Sequence, residues 1–243
     1  MSAGGKRDRG HLARLRDAAG TPAVRGRPFI VAIDGPAASG KGTLARRLAE
    51  RFALAHLDSG KLYRATASLV LREGADPADP AAAVAAARRV SPAILGNPLL
   101  SSEAVARASS ILSALPAVRA ELLAVQRDFA AHPTPPACGA VIDGRDIGTV
   151  VCPDAAVKLF VTASAEARAE RRAKELREGG APAIYDDVLQ DMKERDARDS
   201  GRRVAPLAAA PDAVTIDTTG LDADQVFEQA SDIIARALAA DGR

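Results

Sequence analysis

Residues 29–43 read Phe-Ile-Val-Ala-Ile-Asp-Gly-Pro-Ala-Ala-Ser-Gly-Lys-Gly-Thr. The first five are apolar and carry three β-branched side chains, which predicts a buried strand. A glycine-punctuated loop and a lysine follow, and then Leu44, Leu48 and Phe52 recur at i, i+4, i+8, which predicts an amphipathic helix. A strand feeding a glycine-rich turn that opens a helix makes a phosphate cradle. Glycines let backbone N–H groups point inward, the helix N-terminus adds its partial positive charge, and Lys41 reaches the β- and γ-phosphates. The expectation is a nucleoside triphosphate site.

The position after the lysine narrows the class. Many such loops place Ser or Thr there as a magnesium ligand. This chain has Gly42, and delays the hydroxyl to Thr43. The Gly-Lys-Gly-Thr ending resembles the nucleoside monophosphate kinases more than GTPases or motor ATPases. With that spacing, Mg2+ is expected to be held mainly by phosphates and water, with no protein side chain assigned as its ligand.

Four further short apolar runs each end in a polar cluster. Leu54–Leu57 leads into Asp58-Ser59-Gly60, and Ala140–Ile142 into Asp143-Gly144-Arg145-Asp146. Val157–Val161 leads into Thr162-Ala163-Ser164, and Ala213–Ile216 into Asp217. Apolar runs alternating with helical stretches predict a parallel sheet covered on both faces, with ligands at the carboxyl ends of the strands. The fold class expected is α/β: five parallel strands with helices on both faces, the arrangement of P-loop kinases. Between Tyr63 and Val141 lies a helical interval punctuated by Gly74, Pro77, Pro80 and the Pro92–Pro98 stretch. It reads as an inserted lobe. The domain boundaries expected are a basic extension at 1–27, a core at 28–75 and 137–240, and the insert at 76–136. A mobile lid is expected at about 168–195, hinged at Gly179-Gly180.

Composition bounds the alternatives. The 243 residues are 47% hydrophobic, with no Trp, two Tyr and five Phe, so the core must be aliphatic. No apolar stretch reaches the length of a membrane span, and the first 27 residues lack the apolar segment of a secretory signal. Cys138 and Cys152 show neither disulfide nor metal spacing, which suits buried thiols in a reduced cytoplasmic protein. Residues 1–27 carry seven cations against two carboxylates, a net +5, so the rest of a chain of total charge +2 is −3. Nothing aromatic is interleaved in that segment to stack on bases, so it reads as a solubilising extension. Residues 166–203 hold ten cations and ten carboxylates, and eight of the cations are arginine. The balance argues against a nucleic-acid surface. The arginine skew suits bidentate grip on phosphate. Monomer is the expected state. His11, His56 and His132 lack metal spacing. Asp34 is expected to tie down the glycine loop, and Asp143 either to accept from loop amides or to hold magnesium or a water.

Four blocks together resemble the bacterial cytidylate kinases. They are Ile-Asp-Gly-Pro-Ala-Ala-Ser-Gly-Lys-Gly-Thr at 33–43, Leu-Asp-Ser-Gly-Lys-Leu-Tyr-Arg at 57–64 and Ile-Asp-Gly-Arg-Asp-Ile-Gly-Thr-Val-Val at 142–151. The fourth is Lys-Glu-Arg-Asp-Ala-Arg-Asp-Ser-Gly-Arg-Arg-Val-Ala-Pro-Leu at 193–207. The resemblance runs from about Phe29 to Leu238. It implies transfer of a phosphoryl group from ATP to CMP or dCMP with Mg2+, and a helical insert that binds the monophosphate. It gives Gly35, Pro36, Ala37, Ala38, Ser39, Gly40, Lys41, Gly42 and Thr43 to ATP, with Arg171 and Arg172 closing on the donor phosphates. Ser59, Ser110, Arg119 and Asp146 would contact the cytosine ring, and Tyr63 would pack near the sugar. Arg64, Arg145 and Arg202 would fork the acceptor phosphate, while Arg195 and Asp199 meet the ribose. Lys41, Arg145, Arg195 and Arg202 would be the catalytic set. The sequence departs from the family pattern at Ala37, where many relatives have serine, and in a short stretch between Val90 and Ser101.

Overall fold

The computed structural model describes residues 27–242. The basic extension expected at 1–27 therefore lies outside the described residues, apart from Arg27, which pairs with Asp154 at 3.0 Å.

Five parallel strands form one sheet in the order β2-β3-β1-β4-β5: β1 (Phe29–Asp34), β2 (Ala55–Asp58), β3 (Gly139–Gly144), β4 (Val157–Thr162) and β5 (Val214–Asp217). The two most central strands, β1 and β3, are buried at every residue, so both of their faces are covered. That is why their sequences run apolar without alternation. The outer strands β2 and β5 are short and partly exposed, as edge strands tend to be. Gly139 pairs with Phe29, and a side chain there would put its Cβ 2.1 Å from the Phe29 carbonyl oxygen, so the first rung of the β1–β3 ladder needs glycine. The helices α1 (Lys41–Arg51) and α9 (Ala223–Ala240) share a core with the sheet, in which Leu44, Leu48, Val226 and Ile234 pack with Val31, Ile33, Leu159 and Val161. The expected strands and the parallel sheet are all present, with no end shifted by more than two residues.

The chain separates into two compact units, one of residues 61–128 and the other of 27–60 with 129–242. The first is helical. It holds most of α2 (Ser59–Arg72), α3 (Pro80–Ala87), α4 (Pro92–Leu95), α5 (Glu103–Leu112) and most of α6 (Pro116–Ala131). Asp79 caps α3 by accepting from the Ala81 amide, with Pro80 at the first helical position. The stretch expected to be loop at Pro92–Pro98 holds the single turn α4, and a 3-10 turn follows at Pro98–Ser101. Each begins with a proline whose missing N–H is not needed there, and Asn97 caps the second by accepting from the Leu99 amide. In the second unit, α7 (Ala165–Glu178) and α8 (Tyr185–Ser200) are joined through Gly179 and Gly180, the latter at φ +78°.

Two sequence expectations need correction. Asp34 does not tie down the glycine loop. Its two carboxylate oxygens accept from the Ile147 and Gly148 amides, both at 2.7 Å, and so clamp the end of β1 to the turn after β3. Those two amides start a π-type turn, Ile147–Val151, and so have no partners within it. Cys138 is exposed, not buried, because it precedes β3 outside the sheet.

Burial raises the Asp34 carboxyl from the ordinary 3.8 to about 6, against the two amide bonds that favour its charged form. Between those values the native chain holds a proton that the unfolded chain has lost, so this group's stabilisation fades as pH rises through the window. Asp34→Ala should cost roughly 2 kcal/mol or more, because it orphans two buried amides. Denaturant unfolding should also show the wild-type lead over Asp34→Asn narrowing between pH 4 and 6. A lead that widens with pH would contradict the raised value.

Candidate active site

The glycine loop leaves β1 at the point where the sheet's connections diverge to opposite sides. Open α/β sheets bind ligands in such a crevice. Gly35 lies so close to β4 that a Cβ would sit 1.9 Å from the Val161 carbonyl oxygen. Gly40, at φ +85°, turns the chain into α1, and Ala38 adopts φ +56°, a conformation that glycine takes more easily. Lys41 donates to the Pro36 carbonyl at 3.2 Å, folding its ammonium back over the loop. Burial pushes that ammonium down from 10.5 to about 7. Arg145 and Arg195 push it the same way, while Asp143 and Asp58 oppose. The lysine is thus poised to gain full charge when an anion enters.

Arginines from three segments meet beside it. Arg145, just past β3, donates through Nε to Asp199 at 3.1 Å and through Nη1 to its neighbouring Gly144 carbonyl at 3.1 Å. Arg202, in the loop after α8, donates to the other Asp199 oxygen. Asp199 is only 1% exposed. Burial pushes its carboxyl up, but Arg145, Arg202 and Arg195 outweigh that and hold it below the usual range. So Lys41, Arg145, Arg195, Asp199 and Arg202, five of the sequence-predicted residues, form one electrostatic cluster. Asp146 and Ser59 are buried nearby in the chain path, and a Cβ on Gly144 would lie 2.5 Å from the Ser59 hydroxyl oxygen.

In the helical unit, the Arg119 guanidinium lies 5.7 Å from the Tyr63 ring centroid and donates to the Ser113 carbonyl, while the Ser113 hydroxyl donates to the Ser110 carbonyl. Tyr63, Ser110 and Arg119 are therefore neighbours there, and Arg64 is half-buried on α2. Arg171 donates to the hydroxyl and carbonyl of Thr218, just after β5. The one proton of the Thr218 hydroxyl is within reach of the Thr162 carbonyl at 3.1 Å and of the Ser39 carbonyl of the glycine loop at 3.3 Å. Arg172 is paired on the surface with Glu175.

Sequence reasoning missed three features. Arg168 stands among the balanced charges of 166–203 with no role of its own in the sequence, yet it is buried and donates to Asp196 and to the Ala37 carbonyl. The one sequence signal was its place beside the Ala169, Ala173, Leu176 stripe, the inward face of α7. His56 meets Asp143 at 2.9 Å, so that carboxylate has a side-chain partner in place of the loop amides expected. The Thr218 relay had no signal at all.

Oxygen donors suited to a hard cation stand close to the loop. Thr43 is exposed at the head of α1, and the second Asp143 oxygen faces Gly42, whose added Cβ would meet it at 3.8 Å. Among the described residues no group of three or more side chains is gathered to hold a metal. No single helix among them is long and apolar enough to cross a membrane.

A family model described as cytidylate kinase matches residues 31–236. The chain is 62% identical to a cytidylate kinase of Rhodospirillum rubrum, over 85% of this chain and 97% of that one. It is 58% identical to a cytidylate kinase of Paramagnetospirillum magneticum, over 84% and 97%. A third, from Granulibacter bethesdensis, is 56% identical over 86% and 97%.

The lysine's depressed value is directly testable. Competitive labelling with an amine-directed reagent should titrate Lys41 with a midpoint at about 7, while exposed lysines titrate near about 10. A Lys41 midpoint among the exposed lysines would show that its ammonium is not desolvated.

Proposed function

The chain belongs to the cytidylate kinase family, and on that footing we propose that it transfers the γ-phosphoryl group of ATP to CMP or dCMP, giving ADP and CDP or dCDP. The observation that carries this reading is the gathering of Arg145, Arg195 and Arg202 around Asp199 beside Lys41. A second anion brought end to end with the donor needs such forks.

The attacking group is a phosphate oxygen of the acceptor, already anionic, so no strong general base is required. Catalysis is positioning and charge stabilisation of a loose, in-line transition state. The glycine loop, from Gly35 to Thr43, cradles the donor phosphates, and Lys41 follows the γ-phosphoryl as charge moves. Arg145 and Arg202 orient the acceptor phosphate, with Arg195 and Asp199 toward the ribose. Arg171 and Arg172 are proposed to turn to the donor phosphates, and Arg171 would exchange its Thr218 bonds for them. The oxygen donors at Thr43 and Asp143 fit Mg2+, with phosphates and waters completing its shell. Bound there, the ion would neutralise charge on the donor phosphates.

Base choice rests on chemistry. Cytosine presents a 4-amino donor beside N3 and O2 acceptors, so a carboxylate with an arginine donor reads it. Asp146, Ser59, Ser110 and Arg119 are proposed for that role, Tyr63 for the sugar and Arg64 for the acceptor phosphate. A uracil carbonyl would face the Asp146 carboxylate unfavourably. Work in the cytoplasm as a monomer is part of the proposal. The large exposed apolar side chains, such as Leu99, Ile184 and Val214, stand singly along the sequence. The even charge of 166–203 gives nucleic acid no footing.

A coupled ADP-release assay with ATP and Mg2+ should show CMP and dCMP well ahead of AMP, GMP and UMP. Preference for AMP or UMP would overturn the assignment. Lys41→Ala or Arg145→Ala should lower kcat by roughly 10³-fold or more, and a loss under about tenfold would remove either from the catalytic set. Asp146→Ala should raise KM for CMP and narrow the gap to UMP. Unchanged selectivity would take base reading away from Asp146.

A further inference from the structure

We propose that Arg168, with Asp196 as its partner, is a positioning residue that sets the acceptor-binding end of α8 against the glycine loop. The inference rests on the kinase reading above.

Arg168 is 4% exposed and has no route to a substrate. Its guanidinium is shared among three elements. Nε donates to the Ala163 carbonyl at 3.0 Å, at the turn between β4 and α7. Nη1 donates to the Ala37 carbonyl of the glycine loop at 3.3 Å and to Asp196 at 3.2 Å. Nη2 donates to the second Asp196 oxygen at 2.6 Å. Beneath this fork, Ala169 and Ala173 of α7 pack on Val188 and Met192 of α8, and Ala37 and Ala38 of the loop join the same apolar cluster.

Asp196 lies between Arg195 and Asp199 on α8, next to the first and less than a turn from the second. A bidentate fork fixes a plane as well as a distance, so it sets the roll of α8 about its own axis. With side chains reaching about 5–6 Å from a helix axis, a roll of about 10° moves their tips by about 1 Å. Misplacement by about 1 Å can cost about a hundredfold in rate. Without the fork, α8 would be held by that apolar cluster and by the Arg145–Asp199 pair near its C-terminal end, and apolar contacts do not fix a roll as a bidentate fork does. The Ala37 bond also sets the glycine loop and the acceptor residues from one guanidinium. A pair that served only to hold the fold would need no bond to that loop.

The test compares full-length wild type with Arg168→Met, Arg168→Lys and Asp196→Asn, each assayed with ATP, CMP and Mg2+ after titration of the active fraction. Asp196 is 26% exposed in its side chain, so its isosteric amide is the variant surest to fold. Expected are a rise in KM for CMP of about tenfold or more and a fall in kcat of about 10- to 100-fold. KM for ATP should stay within about threefold in Asp196→Asn, which leaves the Ala37 bond in place, and the double variant should be no worse than the worse single one, since both break the same link. Arg168→Lys should recover part of the loss, because an ammonium reaches Asp196 but cannot fork to all three partners. A merely structural role would lower the active fraction and leave both KM values in place. That result, or Asp196→Asn with KM for CMP and kcat both within about twofold of wild type, overturns the proposal. Wild type that fails to turn over CMP would instead overturn the kinase reading on which it stands.

Discussion

Cations gathered to grip phosphate repel one another whenever the phosphate is absent, and the site in this chain is arranged around that constraint. Asp199 is the counter-charge. It accepts from Arg145 on one oxygen and Arg202 on the other, and Arg195 lies within the same field. At an effective dielectric of about 20, two charges about 4 Å apart interact by about 4 kcal/mol. One buried carboxylate among several guanidinium groups is therefore enough to hold them in the empty site, yet leaves the cluster net positive for an incoming anion. Lys41 completes the arrangement by another route. A value of about 7 lets the lysine shed its proton at neutral pH when no anion is present, which relieves the repulsion.

The sheet order explains how residues more than a hundred positions apart reach one pocket. Placing β1 at the centre, between β3 and β4, brings the glycine loop beside the end of β3, from which Asp143 to Asp146 project, and beside the end of β4, from which α7 departs. The approach is close enough to exclude side chains at Gly35 against β4 and at Gly139 against β1. These contacts are backbone to backbone, so no other residue can be fitted by repacking alone.

Much of this was legible in the chain. Unbroken apolar runs mark strands buried on both faces, and the polar cluster after each run marks the ligand edge, so β1 to β5 and the glycine loop follow from pattern and turn chemistry. The arginines around Asp199 were legible only as motif blocks. Nothing in the spacing of 145, 195 and 202 places them together, because that convergence is a property of the sheet order. The partners of Asp34, His56 and Arg168 were not legible, since each bonds across the fold to a group that spacing along the chain does not single out. For Asp34 and Arg168 that group includes a backbone amide or carbonyl. Charge-rich composition actively misled at Arg168. Residues 166–203, with ten cations and ten carboxylates, read as a charged surface, although Arg168 and Asp199 among them are buried.

The corrected role of Asp34 bears on how sharply a base can be read. The Asp146 carbonyl accepts from both Val150 and Val151, at 2.9 and 3.2 Å, and the two following amides go to Asp34. The backbone just after Arg145 and Asp146 is thereby held by its own turn and by a carboxylate on the central strand. A carboxylate that must distinguish an amino group from a carbonyl gains selectivity only if it cannot swing away from the wrong partner. Were Arg145 the phosphate fork and Asp146 the base reader proposed above, a loose turn would let one adapt at the expense of the other. Clamping their shared turn to β1 makes both geometries properties of the sheet, and so independent of which ligand arrives first.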